Sequence, residues 1–206
     1  MSTIKFFTFV LLLFSISALF TSCGDDDDDV EQEFFQDLDG DGFGDPDVSM
    51  MATSQPGGFV DNSDDINDNN AAITPESVWE GPNISFTKAD GADWTLAENQ
   101  DRITDNVWIT RADNQGLFNI GAEESYMDFS SPSDTEWAIG TTETVLPENF
   151  VSWEESSDSS PRDLIGQNVV LHLISDDIFI DLSFTSWASG GQGGQGGFSY
   201  DRSTPD

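Results

Sequence analysis

Beyond residue 78 the chain alternates short apolar runs with clusters of turn-forming residues, and no stretch keeps a helical spacing of apolar positions over several turns. Many short strands separated by frequent turns are typical of antiparallel β-sandwiches and jelly rolls. We therefore predict a mainly β fold, with an antiparallel β-sandwich or jelly-roll-like domain over residues 79–206. The predicted strands cover residues 83–88, 106–111, 117–120, 136–139, 168–175, 178–187 and 198–201.

The clearest pair of strands lies at residues 169–174 and 178–184. Strict alternation in the second strand places every second side chain on the same face of a sheet. That face carries Ile178, Ile180, Leu182 and Phe184. A slip of one residue would turn Asp181 into the core, so the register should be firmly set. The pattern predicts a β-hairpin with one face in the core and its turn at residues 175–177.

The first 22 residues have the pattern of a secretory signal peptide. Lys5 supplies a positive charge, an apolar run follows at residues 6–20, and small residues precede Cys23. These last residues resemble the lipobox of bacterial lipoproteins. The resemblance implies that Cys23 is lipidated as the first residue of the mature chain, so that the membrane is a partner through a lipid anchor. Ordinary secretion with a free Cys23 is the alternative.

An acidic run, Asp25 to Asp29, follows directly after Cys23 and Gly24. Such a run resembles the surface-export signal of Bacteroidetes-type lipoproteins, which implies an outer-membrane, lipid-anchored and surface-exposed protein. A solvated spacer is the alternative interpretation, and the two are compatible. We take residues 23–36 as an acidic tether, with residues 30–36 as a linker or one helical turn.

The charge of the chain narrows the range of partners. Six basic residues stand against 40 acidic ones, and the formal net charge is −34. Nucleic acid and anionic lipid headgroups would repel such a chain, so we expect no nucleic-acid partner. Because Cys23 is the only cysteine, a disulfide within the chain is excluded. An environment rich in divalent cations suits this composition.

Aspartates at every second position, with glycines between them, open an acidic segment at residues 37–68. Such carboxylates repel one another unless they surround a cation, and calcium takes six to eight oxygen ligands on a flexible loop. The spacing matches the first half of an EF-hand loop, with Phe43 offering its carbonyl. Position twelve is Val48 instead of glutamate, so the segment is not an EF-hand.

The order of these residues resembles a short metal-binding motif of secreted bacterial proteins, and it is similar to thrombospondin type 3 calcium repeats. The resemblance covers residues 37–80 and implies a calcium-binding module at residues 37–78. A disordered acidic linker is the alternative. The ligands that the resemblance implies are Asp37, Asp39, Asp41, Asp45, Asp64, Asn67 and Asp68.

The later part of the chain resembles an uncharacterised secreted bacterial β-domain over residues 79–204. The resemblance is carried by residues 108–114, 177–187 and 198–204, and it implies a fold without a function. The glycine-rich repeat at residues 190–197 predicts a flexible loop. It is not a phosphate-binding loop, because no helix and no lysine follow it.

Catalytic signals are weak. His172 is the only histidine and has no cysteine beside it, so a structural role is favoured. Adjacent glutamates, as at residues 123–124 and 154–155, point to opposite faces of a strand and make no glycosidase pair by themselves. We expect no enzymatic activity; a hydrolase would need a cleft with facing carboxylates.

The six tryptophans either fill the core or form an exposed platform for sugars.

Together these features predict a surface-exposed calcium-binding lipoprotein with a role in binding or adhesion. Its partner would be an extracellular glycan or protein. The alternatives are a carbohydrate-binding module of a surface polysaccharide system and a structural envelope protein.

Overall fold

The computed structural model describes residues 30–189 and 194–206. The predicted signal peptide, Cys23 and the run from Asp25 to Asp29 lie outside the described residues, as do residues 190–193 of the glycine-rich repeat. Within the described part, no helix has the length and apolar character to cross a membrane. Residues Glu31–Asp206 form one compact unit, in which the Asp-rich segment and the β-domain are included together.

The fold is mainly β and antiparallel, as the sequence predicts, and its strands form three sheets. The first sheet has the order β2-β1-β3 and contains β1 (Gln32–Gln36), β2 (Asp45–Ala52) and β3 (Phe59–Val60). The second has the order β4-β11-β10-β9-β8 and contains β4 (Gly81–Lys88), β8 (Thr135–Ile139), β9 (Val169–Leu173), β10 (Ile178–Trp187) and β11 (Phe198–Thr204). The third has the order β5-β6-β7 and contains β5 (Asp101–Arg102), β6 (Trp108–Thr110) and β7 (Phe118–Asn119).

The second and third sheets share one hydrophobic core, as the two layers of a sandwich do. Ile109 and Leu117 come from the region of the small sheet, and Trp137, Leu171 and Ile180 come from the large sheet. In the large sheet Leu171 pairs with Trp137 on one side and with Ile180 on the other. The short helix α1 (Trp153–Ser156) adds Trp153 to this core.

A buried ion pair also joins the two layers. Arg202 on β11 donates from Nε to Oδ2 of Asp101 on β5 at 2.7 Å, and from Nη2 to Oδ1 at 2.9 Å. The hydroxyl of Tyr200 donates to the same carboxylate at 2.7 Å. The ion pair is bidentate, and both oxygens of Asp101 accept hydrogen bonds. It therefore fixes the position of β5 on the large sheet.

The hairpin of β9 and β10 forms with the predicted register, and Ile180, Leu182 and Phe184 are buried in the main core. The other face of the sheet is covered as well, which the alternation in β10 did not predict. Ile73 and Val78 pack there against Phe179 in a second core. The residues that follow the Asp-rich segment therefore bind it to the back of the β-domain.

The prediction of a linker or helical turn at residues 30–36 is wrong for Gln32–Gln36, which forms β1. Phe34 is buried, and β1 pairs with β2 along its length. The sequence of β1 does not alternate polar and apolar residues, so the strand depends on its partner and on the burial of Phe34. Through β2 and β3 the predicted loop module also contains strands.

Candidate metal centre

The first Asp-rich loop follows β1. Each of its first three aspartates uses one carboxylate oxygen to accept a hydrogen bond from a backbone amide of the same loop. Oδ1 of Asp37 accepts a hydrogen bond from the amide of Gly40 at 2.8 Å. Oδ1 of Asp39 accepts from the amide of Asp41 at 3.2 Å, and Oδ1 of Asp41 accepts from Phe43 at 2.8 Å. Such local bonds are a common use of aspartate in turns. They leave the second oxygen of Asp39 and of Asp41 free of the backbone.

Two glycines allow the loop to wrap. Gly40 has a φ of 85° and Gly42 a φ of 96°, in the left-handed region where a side chain is disfavoured. Gly44 serves a different purpose, because it lets another segment approach. An added Cβ at Gly44 would lie 2.5 Å from the carbonyl oxygen of Asn62.

The second Asp-rich segment is held against the first by hydrogen bonds. The amide of Leu38 donates to Oδ1 of Asp68 at 2.6 Å. Nδ2 of Asn62 donates to the carbonyl of Gly42 at 2.9 Å, and the amide of Asp65 donates to the carbonyl of Gly44 at 3.1 Å. These bonds span 20 to 30 residues of sequence, so they bring carboxylates from both segments to one place.

Two groups of three carboxylates result, and they share Asp39. One group is Asp37, Asp39 and Asp68, and the other is Asp39, Asp41 and Asp65. In each group the three oxygens lie within 4.8 Å of one another. An ion that contacts its ligands at about 2.3–2.6 Å can touch three oxygens at this separation. Both groups could therefore hold a metal ion.

Unpaired buried oxygens distinguish the second group from an ordinary acidic surface patch. Oδ2 of Asp39, of Asp41 and of Asp65 are all buried without a hydrogen-bond partner. Only 8 % of Asp65 is exposed. A buried carboxylate oxygen without a partner costs free energy, and the three residues also bring carboxylate oxygens within 4.8 Å of one another, so this group could hold a cation. The donor set contains only hard oxygens, which fits a cation of the calcium type.

The electrostatics of the cluster support this conclusion. The pKa of Asp65 is raised to about 6, mainly by burial and also by the neighbouring carboxylates of Asp41 and Asp39, while a hydrogen bond from the amide of Asn67 lowers it. Burial, followed by repulsion from Asp41, also raises the pKa of Asp39. The pKa of Asp68 is raised mainly by burial. In each case the charged form is disfavoured without a cation nearby.

The structure brings four of the predicted ligands together, namely Asp37, Asp39, Asp41 and Asp68. Asp45 lies outside both groups but lines a cleft of about 530 Å³ together with Asp65 and Asp68. The role predicted for the carbonyl of Phe43 stays a prediction.

Two other predicted ligands are placed differently. Asp64 is exposed and belongs to neither group. The side chain of Asn67 is buried, and its Nδ2 donates to the carbonyls of Thr142 and Val145 at 2.9 and 2.8 Å. Asn67 therefore attaches the Asp-rich segment to the β-domain through its amide nitrogen.

Asp65 belongs to the second group, although the sequence does not predict it as a ligand. It stands beside Asp64 in an aspartate doublet, and the alternation of the first loop gives no rule for choosing between the two. Asp65 is buried, and its amide donates to the carbonyl of Gly44, a contact with the first loop that the sequence does not predict.

The residues considered for catalysis have structural contacts. His172 places Nδ1 2.7 Å from Oε1 of Glu136 and stacks on Phe179 with ring centroids 4.0 Å apart. Oε2 of Glu123 accepts from the amides of Asn119 and Ser133 at 2.7 and 2.8 Å. All six tryptophans are buried or partly buried.

Comparison with family models, with curated proteins and with solved structures gives no match for this chain. The resemblance of residues 37–80 to metal-binding repeats therefore stays a prediction, and the case for the site rests on its geometry.

Proposed function

We propose that the protein is a calcium-binding, lipid-anchored surface protein with a role in binding or adhesion. The observation that carries the proposal is the group of Asp39, Asp41 and Asp65, whose carboxylate oxygens come within 4.8 Å of one another and which each bury Oδ2 without a partner. Calcium suits the site better than zinc or copper, because every available ligand is an oxygen. Magnesium usually keeps several waters and uses one or two carboxylates, so a cluster of aspartates favours calcium.

The effect of calcium would be to hold the N-terminal sheet on the β-domain. Asp39 and Asp41 follow β1, whereas Asp65 precedes Asn67, the residue that is clamped to Thr142 and Val145. An ion shared by these carboxylates links the two parts and removes their mutual repulsion. Since the folded loop binds the ion and the unfolded chain hardly does, calcium stabilises the folded form by mass action. Extracellular modules of this kind work with dissociation constants on the order of 10⁻⁴–10⁻³ M.

The location at the cell surface is supported by the sequence alone. The apolar run at residues 6–20, Cys23 and the acidic run that follows it are the features that carry it. The formal net charge of −34 disfavours binding to nucleic acid and favours an exterior rich in divalent cations.

Calorimetric titration of calcium into the full chain in detergent tests the proposal. We expect saturable binding that Asp39→Asn weakens at least about tenfold, because Asp39 belongs to both carboxylate groups. Asp61→Asn is the matched control: it removes the same charge from an exposed residue that belongs to neither group, so its affinity should stay within about twofold. Equal losses in the two variants would show that only the overall charge attracts calcium.

A further inference from the structure

A second cavity, of about 320 Å³, lies beside α1 and shares no lining residue with the aspartate cluster. Its volume is at the lower end of the range for small-molecule sites, roughly 300–1,000 Å³. Aromatic and charged side chains line it together, among them Arg111, Tyr126, Asp128, Trp153, Glu154 and Trp187. Most of the lining residues are polar, and Trp153 and Trp187 add apolar faces, so the cavity suits a polar ligand that carries several hydrogen-bonding groups.

The indole of Trp153 presents an unused donor here. The side chain is fully buried between Trp137 and Trp187, with ring centroids 4.8 and 5.8 Å away, and its Nε1 has no hydrogen-bond partner. Buried indole N–H groups normally find an acceptor. Gly116 lets the ring of Tyr126 approach close to this donor, because an added Cβ would lie 2.5 Å from that ring and 3.2 Å from Nε1.

Arg111 brings a buried positive charge to the same cavity. Only 2 % of the residue is exposed, and its guanidinium lies over the ring of Trp187 at 3.9 Å. Nε donates to the carbonyl of Gln115 at 2.7 Å, and Nη1 donates to those of Ala188 and Gly197 at 2.8 and 3.0 Å.

These carbonyls orient the guanidinium but carry no net charge. Among the residues that the structure describes, Arg111 forms no salt bridge. Burial lowers its pKa to about 10, so it still carries its charge at neutral pH. A buried cation without a carboxylate partner indicates an anionic ligand.

The opposite part of the lining offers acceptors. Glu154 accepts hydrogen bonds from the hydroxyl of Tyr126 and from the amide of Phe129, the latter at 2.6 Å, and Asp128 lines the cavity as an exposed carboxylate. These carboxylates would repel a small inorganic anion, which has no hydroxyl to offer them. A ligand that carries a carboxylate at one end and hydroxyl groups at the other satisfies both parts of the cavity.

We propose that this cavity binds a sugar acid, with the ligand carboxylate on Arg111 and the Trp153 indole N–H, and the ligand hydroxyls on Asp128 and Glu154. The geometry does not involve the aspartate cluster, so the proposal is independent of calcium binding. Because the rest of the surface is strongly acidic, the buried guanidinium is what selects the acidic sugar.

Calorimetry on the full chain in detergent, with calcium present, tests this assignment. Glucuronate, glucose and acetate are the three probes. We expect saturable binding of glucuronate, with glucose and acetate each at least about tenfold weaker, since each lacks one of the two groups that the cavity recognises. Equal affinity for glucose and glucuronate would overturn the role of Arg111. Absence of glucuronate binding would overturn the proposal.

Two variants locate the site. Arg111→Gln should abolish the preference for glucuronate over glucose. Arg102→Gln is its matched control, because Arg102 also lies over an indole, that of Trp108 at 4.2 Å, but does not line the cavity. If Arg111→Gln does not fold, Asp128→Ala decides instead, since Asp128 is exposed and alanine removes its acceptor oxygens. It should weaken glucuronate binding severalfold, and an unchanged affinity would contradict the assignment.

Discussion

At the scale of single residues, the two oxygens of each aspartate in the second group have different environments. Asp39, Asp41 and Asp65 each use Oδ1 to accept a backbone amide and bury Oδ2 without a partner. The sequence predicts the first two from their alternate spacing. It could not single out Asp65, because the hydrogen bond that brings Asp65 to Gly44 of the first loop appears only in the folded chain.

Asp65→Asn should have opposite effects with and without calcium. In chelator it replaces a buried unpaired carboxylate by a neutral amide that can donate to its neighbours, so the free energy of unfolding should rise by roughly 1–3 kcal/mol. The stabilisation by added calcium should be largely lost. Thermal unfolding in chelator and in calcium measures both effects. Asp64→Asn, at the exposed neighbour, should change neither; a loss of stability in chelator with Asp65→Asn would contradict the account.

Asn67→Asp distinguishes a structural role of Asn67, as a hydrogen-bond donor to the β-domain, from a role as a metal ligand. A ligand role predicts that an added carboxylate preserves or strengthens calcium binding. The hydrogen bonds of Nδ2 to Thr142 and Val145 predict instead that the folded state loses roughly 1–3 kcal/mol for each carbonyl left unpaired. Denaturant unfolding in chelator measures the loss. Asn69→Asp adds the same charge at an exposed position and should cost much less.

At the scale of elements, the alternation in β10 predicts the hairpin and its buried face, because period-two patterning sets both. The same pattern could not show that Phe179 is covered on the back of the sheet. Ile73 and Val78 supply that cover from a segment whose composition resembles a loop. The sequence did not predict β1 and β2 for a related reason. These strands are stabilised more by pairing with each other than by the β-propensity of their residues.

Ile73→Ala tests the attachment of the Asp-rich segment to the β-domain. Ile73 is fully buried in the second core, so the substitution should lower the free energy of unfolding by roughly 2–5 kcal/mol. Denaturant unfolding provides the measurement. Ile174→Ala, at a residue that is 49 % exposed, is the control and should cost well under half as much. Equal small costs would mean that the segment is only loosely attached.

At the scale of the whole molecule, one compact unit contains both the aspartate cluster and the separate cavity lined by Arg111. The aspartate cluster belongs to the N-terminal Asp-rich segment, whereas the Arg111 cavity lies within the β-domain. A formal net charge of −34 surrounds both. Such a charge attracts cations in general, so specific calcium binding has to be distinguished from screening.

Sodium chloride and calcium should stabilise the protein to different extents. Salt screens the exposed carboxylates, whereas it screens a buried cluster much less. In chelator we expect a modest rise of the melting temperature with sodium chloride, and a larger rise when calcium is added at constant ionic strength. Scanning calorimetry under the two conditions provides the comparison. Equal effects at equal ionic strength would reduce the aspartate cluster to a solvated acidic surface.

A crystal structure of the protein grown with calcium tests the central claim most directly. The account predicts an ion bonded to Oδ2 of Asp39, Asp41 and Asp65, at the roughly 2.3–2.6 Å typical of calcium–oxygen contacts. The anomalous signal of the ion would identify it. Saturating calcium with no ion between these three oxygens, or with ions only at exposed aspartates such as Asp64, would contradict the account.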